Sequence, residues 1–184
     1  MLKIVSPVLT SAKKSTLALL VLVLVSGFAT GQSIDDELVQ IGNSLRQEIN
    51  KQMPGWTCKS IQPIQGSSGV IVEHCRSGDI LVSIAVSERD SQENAQAAFN
   101  ESKAHLRLEE QVAANHQKQL VLIKEELTNL GDEGFVWNIR GSEAVVFRKG
   151  KFIVNTSVPT PANNKDAFFS RKFAEYVAKV LENH

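Results

Sequence analysis

Apolar residues in this 184-residue chain switch between helical spacing and strand alternation, and the order of these switches limits the folds that the chain can adopt. Spacings of three and four residues predict a first helix over 34–53, a second from Ser91 to Ala113 and a third near the C-terminus. From Trp56 the apolar period changes to two, which is typical of strands. The predicted order is therefore helix, three strands, helix, about four strands, helix.

The first and last helices each carry one apolar stripe, which we expect to pack against a sheet. Ser33 is the expected N-cap of the first helix, and Pro54-Gly55 is expected to end it. The two stripes consist of Ile34, Leu38, Ile41, Leu45 and Ile49, and of Phe169, Phe173, Val177, Val180 and Leu181.

Short segments with strand character are separated mostly by turns that contain glycine. Because short turns join antiparallel neighbours, the sequence predicts a single-domain α+β sandwich. In it, a mainly antiparallel sheet of about six or seven strands packs against helices within 56–182. The predicted strands are Trp56–Ile64, Gly69–Cys75, Asp79–Val86, Leu120–Ile123, Phe135–Ile139, Glu143–Arg148 and Lys151–Val158.

Residues 1–31 have the layout of a secretory signal peptide. Lys3, Lys13 and Lys14 precede an apolar run, Leu17–Val25, which is too short to span a bilayer comfortably. We expect cleavage near residue 31, a mature domain over 32–184 without a stable membrane span, and a periplasmic or secreted location. A leader that stays uncleaved would instead make the chain a membrane-tethered accessory protein.

The charge balance argues against nucleic acid as a partner. The chain has 20 basic and 20 acidic residues, and the leader contains lysines but no acidic residue. The mature part is therefore weakly acidic, whereas a general nucleic-acid binder needs a basic surface that displaces counterions from phosphates.

Cys58 and Cys75 are the only cysteines, and an oxidising compartment favours a disulfide between them. The alternative is a metal site or a reactive thiol centre that includes His74. One histidine and two cysteines do not complete a structural zinc shell, and neighbours in a strand point to opposite faces. We therefore expect a disulfide, with no metal and no cofactor.

The segment Leu130-Gly-Asp-Glu-Gly-Phe135 contains dense turn chemistry, and a hairpin with Arg148-Lys-Gly150 follows it. This pair of motifs resembles a cassette of exported bacterial domains of unknown function, which often show Leu-Gly-Asp-Glu-Ala followed by Arg-x-Gly. The order of elements is similar to that of the PsbP/Mog1-like α/β sandwich. Gly134 stands where the family usually has alanine. The resemblance implies a fold and an exported binding module, and no catalytic residue.

Asp132 and Glu133 in this cassette can be interpreted in two ways. The first is structural: Asp132 bonds its own turn, and Gly131 and Gly134 permit positive φ angles. The second is a pair of carboxylates that binds calcium or acts as acid and base, although the regular acidic spacing of a calcium loop is missing. Asp132, Glu133 and Trp137 are the candidate ligand-binding residues, beside a groove at the 127–135 turn.

Motifs of known hydrolases and phosphate-binding loops are absent from the sequence. The sequence therefore predicts an exported, non-catalytic binding or accessory module of the cell envelope, whose partner is an unknown small ligand or an envelope protein. The alternative is a small secreted enzyme that uses a Cys/His or carboxylate site, and we assign no catalytic residue to it.

Overall fold

The computed structural model describes residues 36–61, 69–115, 122–139, 142–158 and 167–184. The predicted leader, Ser33 and Ile34 lie outside these residues. The helices are α1 (Asp36–Gln52), α2 (Gln92–Asn115) and α3 (Ala167–Leu181). The strands are β1 (Thr57–Ile61), β2 (Val70–Ser77), β3 (Ile80–Glu88), β4 (Ile123–Leu127), β5 (Glu133–Ile139), β6 (Ser142–Lys149) and β7 (Phe152–Ser157).

The strands form one seven-stranded sheet in the order β1-β2-β3-β7-β6-β5-β4. Every neighbouring pair is antiparallel. Two runs of sequential neighbours, β1 to β3 and β4 to β7, meet where β3 pairs with β7. The predicted single-domain α+β fold with an antiparallel sheet is therefore confirmed.

Helices cover both faces of the sheet, but unequally. One face packs against α1 and α3, and its core includes residues from β2, β3, β5, β6 and β7. The other face packs against α2, and its core includes Phe135, Trp137, Val146 and Ile153. Because side chains alternate along a strand, β5, β6 and β7 contribute to both cores. None of the described helices is long and apolar enough to cross a membrane.

The apolar stripe of α1 is fully buried, as the sequence predicts. Leu38, Ile41, Leu45 and Ile49 all have no exposed surface. Burial of each of these side chains contributes about 2 kcal/mol of hydrophobic free energy, so the stripe fixes α1 on the sheet. Ile34, the fifth predicted member, lies outside the described residues.

The predicted strand over Leu120–Ile123 is displaced in the structure. Strand β4 begins at Ile123 and continues to Leu127, which the turn was expected to include. Lys124, Glu125 and Glu126 are exposed in this strand, and they conceal the alternation that would have marked it. The reason is that β4 is a sheet edge, where charged side chains are common. Leu120 and Val121 lie outside the described residues, as do 62–64 of the predicted first strand.

Candidate functional site

Cys58 and Cys75 form the predicted disulfide, which links β1 to β2. The two residues are directly opposite each other in the ladder, with Cα atoms 4.0 Å apart. Cys75 is fully buried on the α1 side of the sheet. The thiols weighed above as a reactive centre are therefore joined in this structure.

His74 lies beside Cys75 in the chain, but its side chain points to the opposite face of the sheet. Burial lowers the pKa of His74, and the charge of Arg76 lowers it further. Within the described part of the chain, no group of three or more His, Cys, Asp or Glu side chains could hold a metal ion.

Asp132 and Glu133 both bind the side chain of Arg148, which is almost completely buried. The Arg148 Nη1 atom lies 2.7 Å from Asp132 Oδ2, and Nε lies 2.8 Å from Glu133 Oε1. Asp132 Oδ2 also accepts a hydrogen bond from the Gly150 N–H at 2.8 Å. We call Asp132, Glu133, Arg148 and Gly150 the Arg148 cluster. It fastens the turn before β5 to the β6–β7 hairpin, so both motifs of the cassette meet in one structural contact.

Gly131 allows the close approach that the Arg148 cluster needs. Its φ angle is 66°, and a Cβ atom added there would lie 2.3 Å from the carbonyl oxygen of Arg148. The N–H of the next residue, Asp132, donates a hydrogen bond to that same oxygen. Only glycine fits this position without displacing the backbone.

Trp137 lies away from the two carboxylates. It faces α2, and its indole N–H is buried with no hydrogen-bond partner in the described structure. Glu133 and Trp137 are four positions apart on β5, which corresponds to about 13 Å along a strand. A ligand that contacts all three candidate residues would therefore have to span that distance, and ligand binding by Asp132, Glu133 and Trp137 stays a prediction.

Among the residues that the structure describes, the α2 side of the sheet is covered only in part. The core beneath α2 contains no residue of β1, β2 or β3. On these strands the register places most side chains of the α2 side at the surface, exposed or half-buried, and only Val70 and Ser87, at the end of the sheet beside Ile153, are buried. We call this surface the open face; its members are Thr57, Lys59, Ile61, Val72, His74, Arg76, Leu81, Ser83 and Ala85.

Two rows of side chains cross the open face. Lys59, His74 and Ser83 are ladder partners and form a polar row, which continues to Ser157 on β7. Ile61, Val72 and Ala85 form an apolar row beside it. Surfaces that bind ligands typically combine apolar groups with a few hydrogen-bonding groups, as these two rows do.

The sequence did not indicate the buried ion pair beneath α1. Glu73 is 1% exposed and binds the guanidinium of Arg46 on α1. Burial raises the pKa of Glu73, and Arg46 offsets this only in part. Its position between Ile71 and Cys75, at strand alternation, is the signal that could have placed it inside.

Glu110 on α2 is a second contact that sequence reasoning missed. Its Oε1 atom accepts hydrogen bonds from the N–H groups of Leu122 and Ile123, at 2.6 and 2.8 Å. Burial opposes its ionisation, but these donors together with Arg107 outweigh burial and lower its pKa. Glu110 thus fastens the start of β4 to α2.

Comparison of the chain with protein-family models, curated proteins and solved structures finds no match.

Proposed function

We propose that this protein is an exported, non-catalytic binding or accessory module of the cell envelope, which holds a small ligand or another envelope protein on the open face. The observation that carries the proposal is the incomplete cover of the sheet. Helix α2 packs against β6 and β7, while the same side of β1, β2 and β3 presents its polar and apolar rows at the surface.

Export is supported by the leader and by the disulfide. Residues 1–31 have the charge and hydropathy pattern of a signal peptide. Disulfides persist in oxidising compartments and are rare in the cytosol, so Cys58–Cys75 is consistent with a periplasmic or secreted location. The resemblance of the cassette to exported bacterial domains supports the same proposal.

A binding role is favoured over catalysis by the state of the groups that could react. Cys75 is oxidised and buried, and His74 points away from it. Asp132 and Glu133 are engaged by Arg148. The cysteines and carboxylates weighed for nucleophilic or acid and base chemistry therefore have structural partners.

A ligand screen by two-dimensional NMR tests the proposed binding surface. The exported protein, labelled with ¹⁵N, is titrated with amino acids, short peptides, sugars and fatty acids. We expect at least one of these classes to shift amide signals of β1, β2 and β3. Ser83→Trp, which places a bulky ring in the middle of the open face, should abolish the shifts, whereas Lys172→Trp on the outer side of α3 should not. Shifts that cluster elsewhere, or that survive Ser83→Trp, would contradict the proposal.

Mass spectrometry of the native N-terminus tests export separately. We expect the mature chain to begin near residue 32, with both sulfurs oxidised. A native chain that retains Met1 and carries two free thiols would contradict the proposed location.

A further inference from the structure

We propose that strand β1 accepts an extended acidic segment of another protein as an additional strand of the sheet. This inference rests on the proposed binding role of the open face and names the kind of partner. Among the strands of the described residues, β1 is one edge of the sheet and pairs only with β2. No described strand pairs with its outer backbone groups, and addition of a strand at such an edge is a recurring mode of peptide recognition.

The register shows which backbone groups point outward. The Cα atoms of Cys58 and Cys75 are 4.0 Å apart, the close spacing of a pair that exchanges no backbone hydrogen bonds. In an antiparallel ladder such pairs alternate with hydrogen-bonded ones, so Ser60 has the same orientation as Cys58. The N–H and C=O groups of Cys58 and Ser60 thus face away from β2.

The opposite edge of the sheet is protected, whereas the described part of the chain shows no such protection at β1. In β4, Lys124 pairs with Glu143, Glu125 with Arg171 and Glu126 with Lys103, and the register shifts between Ile123 and Glu125. Paired charges and irregular register are devices that prevent strand addition at an edge. Strand β1 is regular, and Lys59 is its only charged residue.

The charge of this edge selects an acidic partner. Neither Lys59 nor Arg76 forms an ion pair with another described residue. Both belong to the open face, on adjacent strands and two register positions apart. A carboxylate opposite Lys59 would lie in a close, non-hydrogen-bonded pair, where cross-strand side chains interact most strongly.

Apolar contact is available next to this charge. Ile61 is 40% exposed and lies beside Val72 on β2. A segment with an acidic and an apolar residue two positions apart, so that both lie on the open face opposite Lys59 and Ile61, matches the edge.

A second copy of this chain matches the edge less well. Two β1 strands that overlap fully in antiparallel orientation place Lys59 opposite Lys59, and like charges directly opposite are destabilising. The occupant inferred here is therefore an extended segment of a different, acidic chain.

Two synthetic peptides test the inference: a capped heptapeptide, Glu-Thr-Val-Thr-Glu-Thr-Val, in which glutamate and valine alternate on one face of the extended chain, and its counterpart with lysine in place of glutamate. Each is titrated into the ¹⁵N-labelled exported protein at low salt. We expect only the glutamate peptide to bind, with shifts at the amides of Cys58 to Ser60 and slowed exchange of the Ser60 N–H.

Variants of the edge separate strand addition from other binding. Ser60→Pro removes an outward donor without removing a β1–β2 hydrogen bond, and Ser60→Ala is its control, since both remove the hydroxyl that bonds Glu73. We expect Ser60→Pro to abolish binding and Ser60→Ala to retain it. Lys59→Glu should weaken the glutamate peptide roughly tenfold. The melting temperature of each variant shows that it is folded.

Three results would overturn the inference: equal binding of both peptides, unchanged binding by Ser60→Pro, or no binding at millimolar peptide. If the glutamate peptide does not bind while small ligands still shift the amide signals of the open face, strand addition is wrong and the proposed function stands. If neither binds, both proposals are wrong.

Discussion

At the scale of single residues, a comparison of Gly131 with Gly150 distinguishes the effect of backbone conformation on stability from the effect of steric contact. Both have positive φ angles, 66° and 56°, but an added Cβ meets Arg148 and Phe147 only at Gly131. We expect Gly131→Ala to lower the free energy of unfolding by about 3 kcal/mol, since left-handed strain and overpacking add. Gly150→Ala should cost about 1 kcal/mol. Urea unfolding followed by circular dichroism measures both, and equal losses would contradict this account of the turn.

Arg148 provides the second prediction at this scale. Its side chain is 7% exposed, whereas its two carboxylate partners are about one third exposed. We expect Arg148→Met to destabilise the protein by about 2 kcal/mol, less than for a fully buried pair because water can solvate the carboxylates left behind. Arg107→Met, which breaks one pair with Glu110 on α2 and one with Glu126 on β4, should cost less than about 0.5 kcal/mol because Arg107 is about half exposed. Similar losses in chemical denaturation would show that the Arg148 cluster adds no special stability.

The cassette shows which contacts of single residues could be predicted from the sequence and which could not. Local chemistry predicted a tight turn here, and Gly131 has the expected positive φ. The other two details differ. Asp132 Oδ2 bonds Arg148 and the N–H of Gly150 rather than its own turn. Gly134 lies in β5 without a positive φ. The partner, Arg148, is 16 residues away from Asp132. The two meet through the β5–β6 register, which determines their contact and which local patterns do not encode.

At the scale of elements, the packing of α1 over Glu73 predicts a pH dependence. Burial raises the pKa of Glu73 above its ordinary value of 4.5. The stability that it contributes is therefore complete below about pH 4 and is lost as pH rises through the folded-state pKa. Glu73→Gln removes this loss, so its stability relative to the wild type should increase from about pH 4 to about pH 7.

Glu48→Gln is the matched control with the opposite sign. A hydrogen bond from Lys179 lowers the pKa of Glu48, so its contribution is present at high pH and is lost on acidification. Relative to the wild type, Glu48→Gln should lose stability as pH rises. Unfolding curves at several pH values measure both differences. If the stability of Glu73→Gln relative to the wild type falls as pH rises, the buried state of Glu73 is contradicted.

Strand β4 shows why some elements escape prediction. The helices and the hairpin strands were predicted because one face of each is continuously apolar. Strand β4 has an apolar residue only at its first and last positions and is fixed by Glu110 and by ion pairs from α2 and α3. Tertiary contacts determine this strand, because its own sequence is mostly charged and shows no apolar alternation.

At the scale of the whole molecule, the disulfide restrains one edge of the sheet, because it joins β1 to β2. It joins residues 17 positions apart and holds an edge strand that buries little surface of its own. We expect reduction to lower the free energy of unfolding by about 3 kcal/mol, because the unfolded chain regains the entropy of the closed loop. Urea unfolding with and without reductant measures this, with Cys58→Ser/Cys75→Ser as the control for incomplete reduction. An unchanged midpoint would contradict the disulfide.

Fold class could be predicted from the sequence, whereas sheet order and the cover of each face could not. Hairpins follow from local turns, but the β3–β7 pairing joins residues as distant as Ser83 and Ser157. Similarly, the apolar residues of α2 show that it packs on the sheet but not on which strands. The open face depends on that choice, so it became visible only in three dimensions.

The incomplete cover of the sheet is the observation on which the functional account depends. A soluble nitroxide tests it directly, because it broadens NMR signals of accessible methyl groups. The account predicts strong broadening of Val72, Leu81 and Ala85 on the open face, and little broadening of Val146 and Ile153 beneath α2. Equal protection of both sets would show that the β1–β3 surface is covered, and would contradict its role as the binding face.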